Sequence, residues 1–239
     1  MSRASRSAVL LLAVATLGFL ETSCGTDHSQ VRFVHASVDA APQDVAADGK
    51  TVATGLAYGN VSPASDYVVL SAGTRRIEVR DTGTTTDLIN STIAFASQKK
   101  YTLLIVGLAN SVPPTIAALL KTDDNSAPPS GNIKLRLIHA ASGPTAGDPP
   151  LVDVYIVTPG TDITNVTPTI SSLAYQQASD YQNLAAATYE VIVTDSTDAS
   201  KFRWSDQTYP LTAGQIRTLI TLHSSVPNNM SLLELSDLN

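Results

Sequence analysis

Apolar residues come in short runs broken by turn formers along most of the chain. VRFVH (31–35), YVVL (67–70), RRIEVR (75–80) and KYTLLIVG (100–107) are such runs, as are KLRLIH (134–139), VDVYIV (152–157), TYEVIVT (188–194) and QIRTLITL (215–222). They are rich in Val, Ile and Thr and tend to alternate apolar with polar positions, which predicts strands buried on at least one face. Turn chemistry separates them at Asp48-Gly49, Ala72-Gly73-Thr74, Asp81-Thr82-Gly83, Pro159-Gly160 and Ala213-Gly214. No long run carries a helical period. Seven or so short strands per hundred residues is the pattern of an immunoglobulin-like sandwich. The expected fold is therefore all-β, with two tandem immunoglobulin-like antiparallel β-sandwich domains.

Two domains are expected because the pattern repeats. VRFVHAS (31–37) returns as LRLIHAA (135–141), and LAY (56–58) returns at 173–175. ASDYVVLSAGTRRIEV (64–79) aligns without a gap to ASDYQNLAAATYEVIV (178–193), and TIAFASQKKYTLLIV (92–106) to TYPLTAGQIRTLITL (208–222). Collinear matches of this kind read as a tandem duplication, with a period too long for a solenoid. Between the copies, KTDDNSAPPSGN (121–132) is polar and holds Pro128, Pro129 and Gly131, as a short linker would. The expected domains are 31–122 and 132–239, joined by a linker at 123–131.

The N-terminus reads as an address. Arg3 and Arg6 precede the apolar stretch AVLLLAVATLGFL (8–20), which is too short to span a bilayer as a helix. Residues 1–24 read as a secretory signal with a lipobox-like end. Thr22 and Ser23 suit the small positions before Cys24, while Glu21 departs from the apolar residue usual there. Cys24 is the expected lipid attachment site, holding the protein at a membrane through residues 25–30 as a tether. The expected location is the cell envelope, facing the periplasm or the exterior. The alternative is ordinary cleavage and a soluble secreted protein.

Composition narrows the chemistry. Cys24 is the single cysteine, so an internal disulfide is impossible. The formal charge is −6 and no basic cluster appears, so a nucleic-acid partner is not expected. His35 and His139 recur, and each extends the row Val31, Phe33 or Leu135, Leu137 that alternation assigns to the core. They are expected to cap the sandwich end through a loop carbonyl or carboxylate, while Arg32 and Arg136 point the other way toward no evident partner. Ser37 lies near His35 and Asp39, but Ala141 replaces it in the second copy, and no nucleophile or phosphate-loop motif is present. Asp39, Asp44 and Asp48 fit turn-forming and strand-end positions better than a metal site. Phe202 and Trp204 could share a strand face as a sugar platform, and Tyr58, Tyr67, Tyr175 and Tyr181 are expected at core edges with bonded hydroxyls. No catalytic residue, metal or cofactor is expected.

The first copy resembles a bacterial cell-surface family known as domain of unknown function 4397. Arg32, His35, Ala36, Ser37, Asp39 and Ala40 fit its opening motif, with Val38 where Pro is usual. Asp44, Val45, Asp48 and Gly49 fit the next motif. Tyr58, Gly59, Val61, Ser62, Tyr67, Ala72, Gly73, Thr74, Tyr101 and Thr102 fit those that follow. The second copy keeps Arg136, His139, Ala140, Asp153, Val154, Tyr175, Tyr181 and Thr188 and loses the Asp-Gly turn. The resemblance implies tandem sandwiches in secreted or lipid-anchored proteins and implies no activity. The expected function is a non-enzymatic, envelope-anchored protein with an interaction or structural role, its partner an unknown envelope protein or glycan. The alternative is a small-ligand or glycan-binding lipoprotein.

Overall fold

The computed structural model describes residues 27–143 and 147–237; the signal segment and Cys24 lie outside them. The described residues form strands and no helix. The first half contains β1 (His28–His35), β2 (Gln43–Ala47), β3 (Lys50–Leu56), β4 (Val61–Ser62), β5 (Val68–Ser71), β6 (Gly73–Asp81), β7 (Asp87–Phe95), β8 (Lys100–Val106) and β9 (Ala117–Asp123). The second half contains β10 (Asn132–His139), β11 (Leu151–Val157), β12 (Ile170–Ala174), β13 (Gln182–Ala185), β14 (Ala187–Asp195), β15 (Arg203–Leu211), β16 (Ile216–His223) and β17 (Met230–Ser236).

Each half is sandwich-like. In the first, a sheet ordered β4-β1-β8-β9, with β5 also paired to β1, faces a sheet ordered β3-β2-β6-β7. In the second, β13-β10-β16-β17 faces β12-β11-β14-β15. Pairing is antiparallel except at two places, where β1 runs parallel to β8 and β10 runs parallel to β16. Each half has its own core between its two sheets. Val31, Phe33, Leu103 and Ile105 meet Val45, Ile77 and Val79 in the first; Leu135, Leu137 and Leu219 meet Val152, Val154 and Val193 in the second.

A third cluster joins the halves. Val34, Leu104 and Val106 pack against Ile138, Ile220, Leu222 and Leu235, so the β1 and β10 sheets lie face to face. Strands β1, β8, β10 and β16 are therefore buried on both faces. This explains why KYTLLIV and KLRLIH read as near-continuous apolar runs rather than clean alternations.

Two expected boundaries move. Residues 28–30 belong to β1 and pair with Ser71, Leu70 and Val69 of β5, so they are strand rather than tether. Asp123, expected to open the linker, ends β9 opposite Lys100 and is buried. In both places the polar side chains that suggested a loop sit on a paired strand.

Candidate functional site

The two histidines sit where β1 and β10 run out, and both side chains are fully buried. His35 Nε2 lies 3.1 Å from the Ala41 carbonyl, and its Nδ1 faces the Ser37 amide at 3.3 Å. His139 Nε2 lies 2.9 Å from the Pro149 carbonyl, and its Nδ1 lies 2.8 Å from the Thr221 hydroxyl. An Nε2 facing a carbonyl must donate, so each ring is the neutral tautomer with Nδ1 accepting. Burial lowers both pKa values below the ordinary histidine value, with the Ala41 and Pro149 carbonyls opposing it. Tyr58 and Tyr175 stand edge-on to His35 and His139.

Ser37 donates from its hydroxyl to Asp39 at 3.4 Å and offers only its backbone amide to His35. In the second half Thr221 takes over, since its hydroxyl also accepts from the Ala140 and Ala141 amides. The register makes Thr221 the counterpart of Ile105. The loss of Ser37 at Ala141 is thus offset from a neighbouring strand, which no comparison of the two short motifs could reveal.

Arg32 and Arg136 have partners after all, and each finds a carbonyl and a carboxylate in the opposite half. Arg32 donates to Thr102 Oγ1 at 2.8 Å, to the Ser236 carbonyl at 2.8 Å and to the Asp237 carboxylate. Arg136 donates to Thr218 Oγ1 at 2.9 Å, to the Thr122 carbonyl at 2.8 Å and to the Asp123 carboxylate. Tyr67 donates to Asp123 at 2.8 Å and Tyr181 to Asp237 at 2.7 Å. Each arginine also lies over the ring of its own half's tyrosine. Burial would lower the Arg32 guanidinium, but Asp237 and Asp123 outweigh it and raise it. Burial pushes both tyrosine hydroxyls well above their ordinary range, so both remain donors. The carboxylate side chains are fully buried, and the arginine side chains are at most 4% exposed. Asp123 and Asp237 were not singled out from the sequence. The signal was ALLKTD (118–123) against LLELSD (232–237), each ending on the aspartate.

The acidic set disperses, Asp39 and Asp48 into turns and Asp44 into β2. Asp39 accepts the Ala109 and Asn110 amides at 2.8 and 2.9 Å, Asp44 the Gly55 amide at 2.8 Å and Asp48 the Arg76 amide at 2.9 Å. Asp153 repeats the Asp44 role on the Ser172 amide. No group of three or more metal-ligating side chains is found among the described residues. Of the four recurring tyrosines, Tyr58 donates to the His223 carbonyl, whereas the Tyr175 hydroxyl is buried with no hydrogen-bond partner.

Phe202 and Trp204 are brought together. Their rings meet edge-to-face at 6.2 Å; Phe202 is 49% exposed, and Trp204 packs partly on the second core. They stand at the histidine end of the second sandwich, where the loops after β10, β14 and β16 converge.

A family model described as a domain of unknown function (DUF4397) matches residues 29–155, more than half of the chain. Curated proteins offer no sequence match. Among solved structures, one similar chain is a family CBM26 module, CBMbc, of Eubacterium rectale Amy13K in complex with maltoheptaose. It is 9% identical, covers 86% of this chain and 95% of its own, and has a TM-score of 0.28. Another is described as a family 41 carbohydrate-binding module that recognises alpha-glucan, from streptococcal virulence factors. It is 9% identical, covers 84% of this chain and 97% of its own, and has a TM-score of 0.26.

Proposed function

The chain belongs to the DUF4397 family, and from that premise we propose a non-enzymatic, envelope-anchored module with an interaction or structural role. In this reading residues 1–24 direct export and Cys24 carries the lipid. The two sandwiches are copies of one duplicated domain, and their exposed loop ends are the working surface. The observation that carries the reading is the seam between the sandwiches. Its apolar cluster surrounds four buried charges that bond across the halves. Opening the seam would expose its apolar cluster to water and break the arginine bonds that cross it, so the two sandwiches act as one rigid display unit. The recurrent histidines support the same reading, because both are sealed from solvent and already bonded to loops.

The test is expression of the full chain in a bacterial host. Mass spectrometry should find a diacylglycerol thioether on Cys24, and Cys24→Ala should move the protein from the membrane to the soluble fraction. An unmodified Cys24 would overturn the anchor. Small-angle scattering of the detergent-solubilised protein should fit a single rigid pair, and a broad spread of inter-sandwich distances would overturn the display unit.

A second reading, glycan binding, is favoured by one observation. An exposed phenylalanine and the chain's single tryptophan stand together on a polar loop surface.

A further inference from the structure

We propose that the groove straddling Trp204 is a binding site for a neutral, hydroxyl-rich oligosaccharide. Two clefts meet at this residue. One, of about 290 Å³, is lined by Asp148, His223, Ser224, Ser225 and Asn229. The other, of about 390 Å³, is lined by Asp195, Asp198, Ser200 and Phe202. Trp204 and Asn228 belong to both, so the two clefts adjoin at the indole. Together they fall in the size range of small-ligand sites.

The lining has two kinds of surface. Exposed large apolar side chains are few in the described residues, yet Phe202 and Val226 both border this groove. Exposed apolar surface rimmed by polar groups marks an interaction site. Around it stand amides, hydroxyls and carboxylates, which accept from and donate to hydroxyl groups. A pyranose has a C–H face that stacks on an aromatic ring and an equatorial belt of hydroxyls, so it matches both surfaces at once. The lining residues include the acidic Asp148, Asp195 and Asp198 and no lysine or arginine. That sign selects against uronic or sialic acids. Asp148 is held in place by His223 Nδ1 at 2.8 Å, and Asp198 by Ser200 and the Phe202 amide, so the polar lining is preorganised.

The site is private to the second half. By strand register, Leu88 and Thr86 take the places of Trp204 and Phe202 in the first sandwich. There the loop after β8 is clamped shut by Asp39 on Ala109 and Asn110.

The inference rests on the glycan-binding reading and names its location and ligand class. Its test uses the detergent-solubilised full chain and a panel of hexasaccharides of glucose, mannose, galactose and xylose, with hexagalacturonate as the acidic counterpart and a mixed peptide library as the other class. Because Trp204 is the only tryptophan, its emission reports this groove alone. At least one neutral sugar should shift that emission saturably, and hexagalacturonate should not. By calorimetry, Phe202→Ala should weaken binding about three-fold. Trp204→Ala should weaken it about ten-fold, the stacking loss expected of one aromatic, and Trp204→Phe should restore most of it. Phe202 is exposed, so its variant keeps the test valid even if Trp204→Ala fails to fold. No sugar binding at all overturns the glycan reading and this site with it. Sugar binding that leaves Trp204 emission and both variants unaffected overturns this site and leaves the reading standing. Emission shifted only by peptides overturns the ligand class.

Discussion

The two halves make matching contacts at their buried seam and differ at their histidine ends. At the seam, Arg32 and Arg136 make the same four kinds of contact, with hydroxyl distances of 2.8 and 2.9 Å and carbonyl distances of 2.8 Å in both. At the ends, equivalent positions of the two registers hold Ile105 and Thr221, Gly107 and His223, and Leu88 and Trp204. Gly107 closes the first half's loop tightly. It adopts φ +84°, and a Cβ there would lie 2.3 Å from the Thr115 carbonyl. His223 instead reaches Asp148. The difference teaches where change is tolerated. A buried ion whose partner lies in the other half penalises any one-sided substitution, whereas a loop tip in water can be altered at little cost.

Removing one seam charge should produce the largest effect. Asp123→Ala leaves Arg136 without its carboxylate and should destabilise the protein by about 3–5 kcal/mol in urea unfolding. The double variant Arg32→Leu/Asp237→Leu should cost less than the sum of its singles, because it leaves no stranded ion. Additive singles would break the claim that the seam acts as a unit.

The histidines come next. Replacing His139 with Leu leaves the Pro149 carbonyl without its donor and removes one of the Thr221 hydroxyl's partners, and should cost about 1–3 kcal/mol. Both histidines are buried with pKa values below the ordinary 6.5, so the unfolded chain binds protons first as pH falls. Their stability is present above about pH 6.5 and is lost on acidification toward the folded-state values. The slope is at most about 1.4 kcal/mol per histidine per pH unit. A His35→Gln/His139→Gln variant should flatten the profile between pH 7.5 and 5.5; an unchanged slope would refute the sealed-neutral assignment.

The loop ends should matter least to stability. Asp39→Ala frees two backbone amides and should cost about 1 kcal/mol, seen as faster hydrogen exchange at Ala109 and Asn110. Phe202→Ala should fall within about 0.5 kcal/mol of the parent by thermal melt. A larger loss would mean that Phe202 is structural.

Alternation and turn chemistry in the sequence were enough to assign the β fold and to place Val31, Phe33, Leu135 and Leu137 in cores. They also put His35 and His139 on the inward row, where each meets a loop carbonyl. Of the acidic residues, Asp39 and Asp48 occupy turns and Asp44 lies in β2. The partners of Arg32 and Arg136 were not legible, because Asp237 and Asp123 are 205 and 13 residues away and belong to the opposite half. Nor was the strand status of residues 28–30, since a polar segment gains its pairing only once β5 lies beside it.

What the sequence determines alone is local: period two, turns at glycine and aspartate, and which side of each strand is apolar. Tertiary structure decided what covers the second side. A strand dictates two faces by alternation, but whether the far face meets water or another sheet depends on the docking of distant segments. Only that docking made Arg32 and Arg136 the centre of a buried seam, and only the convergence of three loops made a groove around Trp204.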